Sequence, residues 1–298
     1  MRRGLAVAAG VLALLLAGIY TSSEWQLEQR HELPPEPPWA PPASCSAEAE
    51  RGARLARLAL CITCHGDDLA GTLQSESHLL GRLYSSNLTP GVGGVGSEYE
   101  DEDWEHAIRH GVGADGRTLL LMPSHILNGM SNADLWDLIA FLRGLPPVDH
   151  QPPATRVGPL LRMGIGLGLS RDMVSSRQID HSVPHSADVP VREGPSYGEY
   201  LVGLAGCRVC HGMELRGSPR PMELLGGPPP PSLVDAEGAS SWSGEAFLHA
   251  MRTGVLPDGG TLDPRFMPWP NYSALTDLQL RSIHRYLRQQ SPPSGPSS

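Results

Sequence analysis

Two Cys-x-x-Cys-His pentapeptides, Cys61-Ile62-Thr63-Cys64-His65 and Cys207-Arg208-Val209-Cys210-His211, constrain this 298-residue chain more than any other feature. Two thiols three residues apart can each add to one vinyl group of a single porphyrin, and the adjacent His then lies under the iron as its proximal ligand. The spacing predicts two covalently bound haem c groups, attached through Cys61, Cys64, Cys207 and Cys210, with His65 and His211 as axial ligands. A thiol-redox pair would need neither His and usually sits in a βαβ pattern, which is not seen here. A structural zinc site would need both pairs to converge on one ion, yet each pair lies in its own repeat. Two plain disulfides also fit an exported chain. The fifth cysteine, Cys45, stands alone and reads as an incidental thiol or an intermolecular contact.

The second half repeats the first. Gly52 and Gly198 each precede their motif by the same interval, and Leu55 matches Leu201. Gly66 and Gly71 correspond to Gly212 and Gly217. Farther on, His106-Ala107-Ile108-Arg109-His110-Gly111-Val112 matches His249-Ala250-Met251-Arg252-Thr253-Gly254-Val255, and Asp115-Gly116 matches Asp258-Gly259. Met122-Pro123 and Met267-Pro268 then occupy the same place in each half. A thioether is a soft ligand that raises the haem potential and closes the sixth position to oxygen. A lone Met is usually core filler. The repeat favours Met122 and Met267 as distal ligands, because Met130, Met213, Met222 and Met251 lack a matched setting. His106 and His249 also align as rivals, with a helix-surface or capping role the reading preferred for them. His78, His125, His181 and His185 have no counterpart in the other half.

Periodicity gives an all-α fold with strands absent or very short: two tandem haem domains after an N-terminal membrane anchor or signal. Helices are expected over Ala47–Leu60, Glu102–His110 and Asn132–Arg143, then over Ser196–Ala205, Gly244–Thr253 and Asp277–Gln289. Ser131 with Asp134 and Thr276 with Gln279 resemble capping boxes. Gly52 and Gly198 would let the first and last helices of each domain cross closely. The 29 Pro and 34 Gly fit long loops around a cofactor, such as Pro90–Gly96 and Gly226–Pro231. With only three Phe, a flat apolar cofactor would fill much of each core.

The expected domain plan follows: a signal-anchor over 1–21, a Pro-rich tether over 22–44, haem domain 1 over 45–147, a connector over 148–194, haem domain 2 over 195–290 and a polar tail over 291–298. Arg2 and Arg3 ahead of the apolar run Gly4–Tyr20 predict export with the Arg pair inside. Thr21 and Ser23 offer a poor cleavage site, so an uncleaved anchor is favoured over a cleaved signal. The apolar, Gly-rich Arg156–Arg171 stretch is too short to span a bilayer and is expected to pack between the haem domains, a peripheral membrane contact being the lesser reading. A net charge of −9 with no basic stripe excludes nucleic acid.

On these residues the chain resembles class I c-type cytochromes, and in particular the tandem cytochrome c subunits of membrane-bound periplasmic dehydrogenases acting on alcohols or sugar acids. The resemblance rests on both motifs, Ser86-Asn87-Leu88-Thr89-Pro90, Trp104–Val112, Asp115-Gly116-Arg117, Met122-Pro123 and the Leu138–Pro147 tail. That group typically carries three haem sites and a C-terminal anchor, whereas this chain has two motifs and a polar end. The resemblance implies a bacterial inner-membrane protein whose haem domains face the periplasm. It would relay single electrons and not act as an enzyme itself. Its implied partners are redox proteins: a dehydrogenase or quinol oxidoreductase upstream, a soluble cytochrome or terminal oxidase downstream. The competing class is a catalytic two-haem cytochrome, peroxidase-like or thiosulfate-dehydrogenase-like, which needs an open iron that the two matched Met residues argue against.

Overall fold

The apolar N-terminal run continues past its last aliphatic residue into one helix, α1 (Arg2–Glu28). Residues 22–28, expected to start the tether, are helical because they contain neither Pro nor Gly and because one face is covered: Ser23 and Gln26 are buried. The computed structural model describes residues 2–33, 49–218 and 227–291. Cys45, most of the Pro-rich tether, part of the Gly226–Pro231 loop and nearly all of the polar tail lie outside them.

In chain order there follow α2 (Ala49–Leu58), α3 (Cys61–His65), β1 (Leu73–Ser77), β2 (Gly81–Tyr84), α4 (Asp101–Glu105), α5 (Ser124–Leu127), α6 (Asn132–Arg143), β3 (Arg156–Val157), α7 (Pro159–Gly166), α8 (Pro195–Leu204), α9 (Cys207–His211), α10 (Gly244–Thr253), α11 (Trp269–Tyr272) and α12 (Asp277–Gln290). They form two compact units. One takes residues 2–33, 62–128 and 139–185; the other takes 49–61, 129–138, 186–218 and 227–291.

The first unit contains a small antiparallel sheet in the order β1-β2-β3, its strands within the very short ones that the helical expectation left room for. Its register pairs Glu76 with Arg82, and Arg82 with Arg156. Gly81 makes the arrangement possible: its φ is +108°, and a Cβ there would lie 2.0 Å from the Arg156 carbonyl oxygen. Strands this short carry too little alternation to be read from sequence. Behind the sheet, Leu83, Leu161, Ile165 and Val174 form a buried cluster. Helix α7 leans on the end of α1 through Ser22 Oγ, which donates to the Gly166 carbonyl at 3.0 Å, and through an Arg162–Glu24 ion pair. The chain after α1 stays attached: the His31 amide donates to the Gly116 carbonyl at 2.8 Å. The helix expected over Glu102–His110 starts as α4 but turns into a π-helix over His106–His110, ending at Gly111 in the left-handed region.

In the second unit α8 crosses α12 at Gly198, where a Cβ would lie 1.9 Å from the Ser282 carbonyl oxygen. The close crossing expected of Gly198 is therefore present, and Gly52 is buried in α2. Thr276 and Gln279 form the full capping box of α12. At Ser131 only half of the expected box exists. Its hydroxyl accepts from the Asp134 amide at 3.2 Å, but the Ser131 amide donates to Tyr200 Oη at 3.0 Å. The Asp134 carboxylate is taken instead by Arg51 and by the Tyr200 hydroxyl, the latter at 2.6 Å.

Candidate haem sites

Each pentapeptide forms one short helix held between two residues of positive φ. Leu60 (+58°) and Gly66 (+85°) flank α3, and Gly206 (+65°) and Gly212 (+80°) flank α9. The next turn repeats as well: Leu69 and Leu215 have φ of 57° and 56°, and Gly71 and Gly217 have 87° and 86°. The Gly71 amide donates to the His65 carbonyl at 2.7 Å, and the Gly217 amide to the His211 carbonyl at 2.8 Å. At both glycines a Cβ would collide with the passing backbone, 2.5 Å from Ser85 O and 2.9 Å from Pro230 O. That passing backbone supplies the acceptor for each imidazole. His65 Nδ1 lies 2.8 Å from Ser86 O and His211 Nδ1 lies 2.7 Å from Pro231 O. A carbonyl can only accept, so Nδ1 carries the hydrogen and Nε2 keeps its lone pair for a metal. Burial holds both imidazoles below the ordinary pKa, with the carbonyl bond opposing it, so the neutral, ligating form is favoured.

The motif thiols are partly buried, and burial disfavours the thiolate that a redox nucleophile needs. Among the described residues no disulfide joins one motif cysteine to another. Burial raises the thiol pKa of Cys64 and Cys210, and pushes that of Cys207 up to about 12. A reactive dithiol instead has a depressed pKa. No group of three or more His, Cys, Asp or Glu among the described residues is arranged to hold a zinc ion. The donor set therefore fits a covalently attached haem at each motif, two thiols and one neutral imidazole apiece.

The two Met-Pro pairs also share a local structure. Pro123 (φ −82°, ψ 48°) and Pro268 (φ −75°, ψ 48°) each cap a single helical turn, α5 and α11. The Met122 carbonyl accepts from Ser175 Oγ, while the Met267 amide donates to the Asp263 carbonyl at 2.9 Å. The rival histidines differ from each other: His106 lies half-buried, 3.7 Å from Glu105 Oε2, whereas His249 is exposed on α10.

The structure also reveals a group that the repeat obscured. Glu105, Arg109 and His110 are buried around the π-helix, and His110 Nδ1 meets His181 Nδ1 at 2.8 Å. In the aligned segment Arg252 instead reaches Asp277 at 2.8 Å on a regular α-helix. The sequence signal was His110 standing where the other half has Thr253.

Residues 49–146 match the family model for cytochrome c. This segment belongs to the cytochrome c family. Covalent haem c and electron transport follow for it from that membership. The chain is similar over most of its length to the cytochrome c subunit of alcohol dehydrogenase (quinone) from Gluconacetobacter polyoxogenes, 31% identical over 286 residues, covering 86% of this chain and 58% of the relative. It is 29% identical over 304 residues to the fructose dehydrogenase cytochrome subunit of Gluconobacter japonicus, covering 96% and 59%. With the gluconate 2-dehydrogenase cytochrome c subunit of Pantoea cypripedii it shares 34% over 173 residues, covering 55% and 38%. The chain thus spans somewhat over half the length of the first two relatives. Each of these relatives is named as the cytochrome subunit of its dehydrogenase.

Proposed function

We propose that this chain is a two-haem c-type cytochrome that carries electrons away from a dehydrogenase, with one haem domain over 45–147 and a second over 195–290. Haem c would be bound through Cys61 and Cys64 in the first and Cys207 and Cys210 in the second. The observation carrying this reading is the repeated imidazole support: His65 on Ser86 and His211 on Pro231, each beside a glycine that admits the acceptor strand. When bound, each haem supplies an iron that changes oxidation state by one electron. His65 and His211 would hold the proximal position as neutral imidazoles, and Met122 and Met267 the distal one. With His65 and Met122, and His211 and Met267, as ligands, the chain would keep oxygen and peroxide off the metal, which fits relay and not catalysis. The names of the relatives support a dehydrogenase as the donor; a soluble cytochrome or terminal oxidase is the class of acceptor.

Helix α1 is long and apolar enough to cross a membrane, which supports anchoring at the bacterial inner membrane with the haem domains on the periplasmic side. Its retention is supported by the buried Ser23 and the Ser22–Gly166 contact, both of which cleavage near Ser23 would disrupt.

The test is a haem-to-chain ratio with reduced-minus-oxidised and carbon monoxide difference spectra, on protein made in a host that matures haem c. Two covalent haems per chain, inert to carbon monoxide, are expected. A single haem, or a carbon monoxide-reactive fraction, would overturn the two-haem relay.

A further inference from the structure

We infer that α7 and the glycine-rich turn after it form a second membrane contact, lying in the interfacial layer of the bilayer beside α1. The inference rests on α1 being the membrane helix proposed above.

Helix α7 is apolar on two faces. Leu161 and Ile165 point into the core with Leu83 and Val174. Leu160, Met163 and Leu167, spaced three and four apart, form a second stripe that is 44%, 39% and 50% exposed, and Leu169 beyond it is 78% exposed. A helix facing water carries polar residues on its outer stripe. The charged residue of α7, Arg162, is already paired with Glu24 and lies over the Tyr20 ring at 5.0 Å.

The location of the stripe names its partner. α7 packs against α1 where the apolar run gives way to polar residues: a Cβ on Gly166 would lie 2.3 Å from the Ile19 carbonyl oxygen. Tyr20 and Trp25, exposed at this level of α1, are the ring types that settle at the headgroup boundary. Arg177 stacks over Trp25 at 5.2 Å. With Arg171, it borders a cavity of about 580 Å³ that Gln26, Gly166 and Ser170 also line. Across 156–178 there are four Arg and one acidic residue, Asp172, in a chain of net charge −9. An apolar stripe rimmed by guanidinium groups and continuous with a spanning helix matches acyl chains below and lipid phosphates above.

The experiment uses the full haem-loaded chain, without partner subunits, in nanodiscs of phosphatidylethanolamine and phosphatidylglycerol. Single cysteines are placed at Met163, Leu167 and Leu169 on a Cys45→Ser background, with Leu79→Cys and Val183→Cys as exposed references in the same unit and Leu12→Cys as the α1 control. Reaction with a charged maleimide is followed by mass. By exposure in the fold alone, Leu169→Cys should react as fast as Leu79→Cys. Docking predicts the opposite, a rate roughly tenfold or more slower at 163, 167 and 169, as burial in the headgroup boundary demands. Protection at 12 with reference-like rates at 167 and 169 overturns the docking and leaves α1 as the anchor. If N-terminal sequencing finds α1 removed, the anchor fails separately. Vesicle binding with 167 and 169 protected would then uphold the docking, and loss of binding would overturn it.

Discussion

His110 Nδ1 and His181 Nδ1 face each other at 2.8 Å, so one ring must donate and the other accept. His110 Nε2 lies 3.2 Å from Glu105 Oε1. Burial alone would raise the Glu105 pKa, but the neighbouring His110, Arg109 and His106 outweigh it and hold the carboxyl below its ordinary range. The Glu105 carboxylate beside His110 Nε2 favours a hydrogen on that nitrogen, and Nδ1 then accepts from His181 Nδ1–H. The buried π-helix thereby grips the segment around His181, and π-turns of this kind recur at functional positions.

That grip should weaken in acid. Burial, with His110 and His31 nearby, holds the His181 pKa below the ordinary imidazole value, though its Ser176 bond and Asp180 oppose this. Burial and Arg177 lower His31 in the same way. Both histidines therefore bind protons more readily when released than when packed. Their contribution is fully present above the ordinary pKa of about 6.5 and is lost as pH falls through it. Hydrogen exchange of residues 176–185 should accelerate between about pH 7.5 and 5.5 beyond the intrinsic amide trend. His181→Gln should flatten that response. Protection that is unchanged or greater in acid would contradict the arrangement.

Gly71 and Gly217 should not tolerate a side chain. Each combines a left-handed φ with a Cβ position that would strike backbone, so Gly71→Ala and Gly217→Ala should each cost about 1–3 kcal/mol. The closer approach at Gly71, 2.5 Å against 2.9 Å, makes its substitution the worse of the two. Thermal melting of haem-loaded protein ranks them, and equal or neutral effects would mean that the acceptor strands can shift freely.

The distal assignments predict separable changes. Met122→Ala and Met267→Ala should each lower one haem potential and open that iron to carbon monoxide, leaving the other unaltered. His106→Ala and His249→Ala should leave both spectra as they are. Spectroelectrochemical titration of the four variants decides the matter, since an unchanged Met variant removes that residue from the ligand set.

Helix limits were legible where an apolar face met a cap: Asn132–Arg143 and Gly244–Thr253 have the expected bounds, and Asp277–Gln290 runs one residue longer. The features that escaped depend on contacts between segments distant in sequence. The continuation of α1 to Glu28 relies on burial against α7, which polar residues 22–28 do not advertise. The β1–β2–β3 sheet depends on Gly81 meeting Arg156, far along the chain. The π-turn at His106–His110 shares its pattern with the regular helix at His249–Thr253; what differs is the buried carboxylate and the histidine that meets it. The two pentapeptides stand out in the sequence because residue type and spacing repeat together, whereas Ser86 and Pro231 act through backbone carbonyls that any side chain would supply.

Tyr200 should matter more than an ordinary tyrosine. Its hydroxyl donates to the buried Asp134 carboxylate at 2.6 Å and accepts from the Ser131 amide at 3.0 Å, so one oxygen caps α6 and solvates a charge. Burial and the adjacent carboxylate push its pKa far above the ordinary phenol value, so it stays a donor across the physiological range. Tyr200→Phe keeps the ring but strips its hydrogen bonds to Asp134 and Ser131, and should cost about 2 kcal/mol because the buried Asp134 carboxylate loses a donor. Asp134→Asn should be milder, because an amide can still accept from the phenol. The double variant should cost less than the sum of the two single changes, as expected of groups in contact. Denaturant unfolding of the four proteins measures that coupling. Additive losses would mean that the Tyr200–Asp134 bond contributes nothing to holding α6.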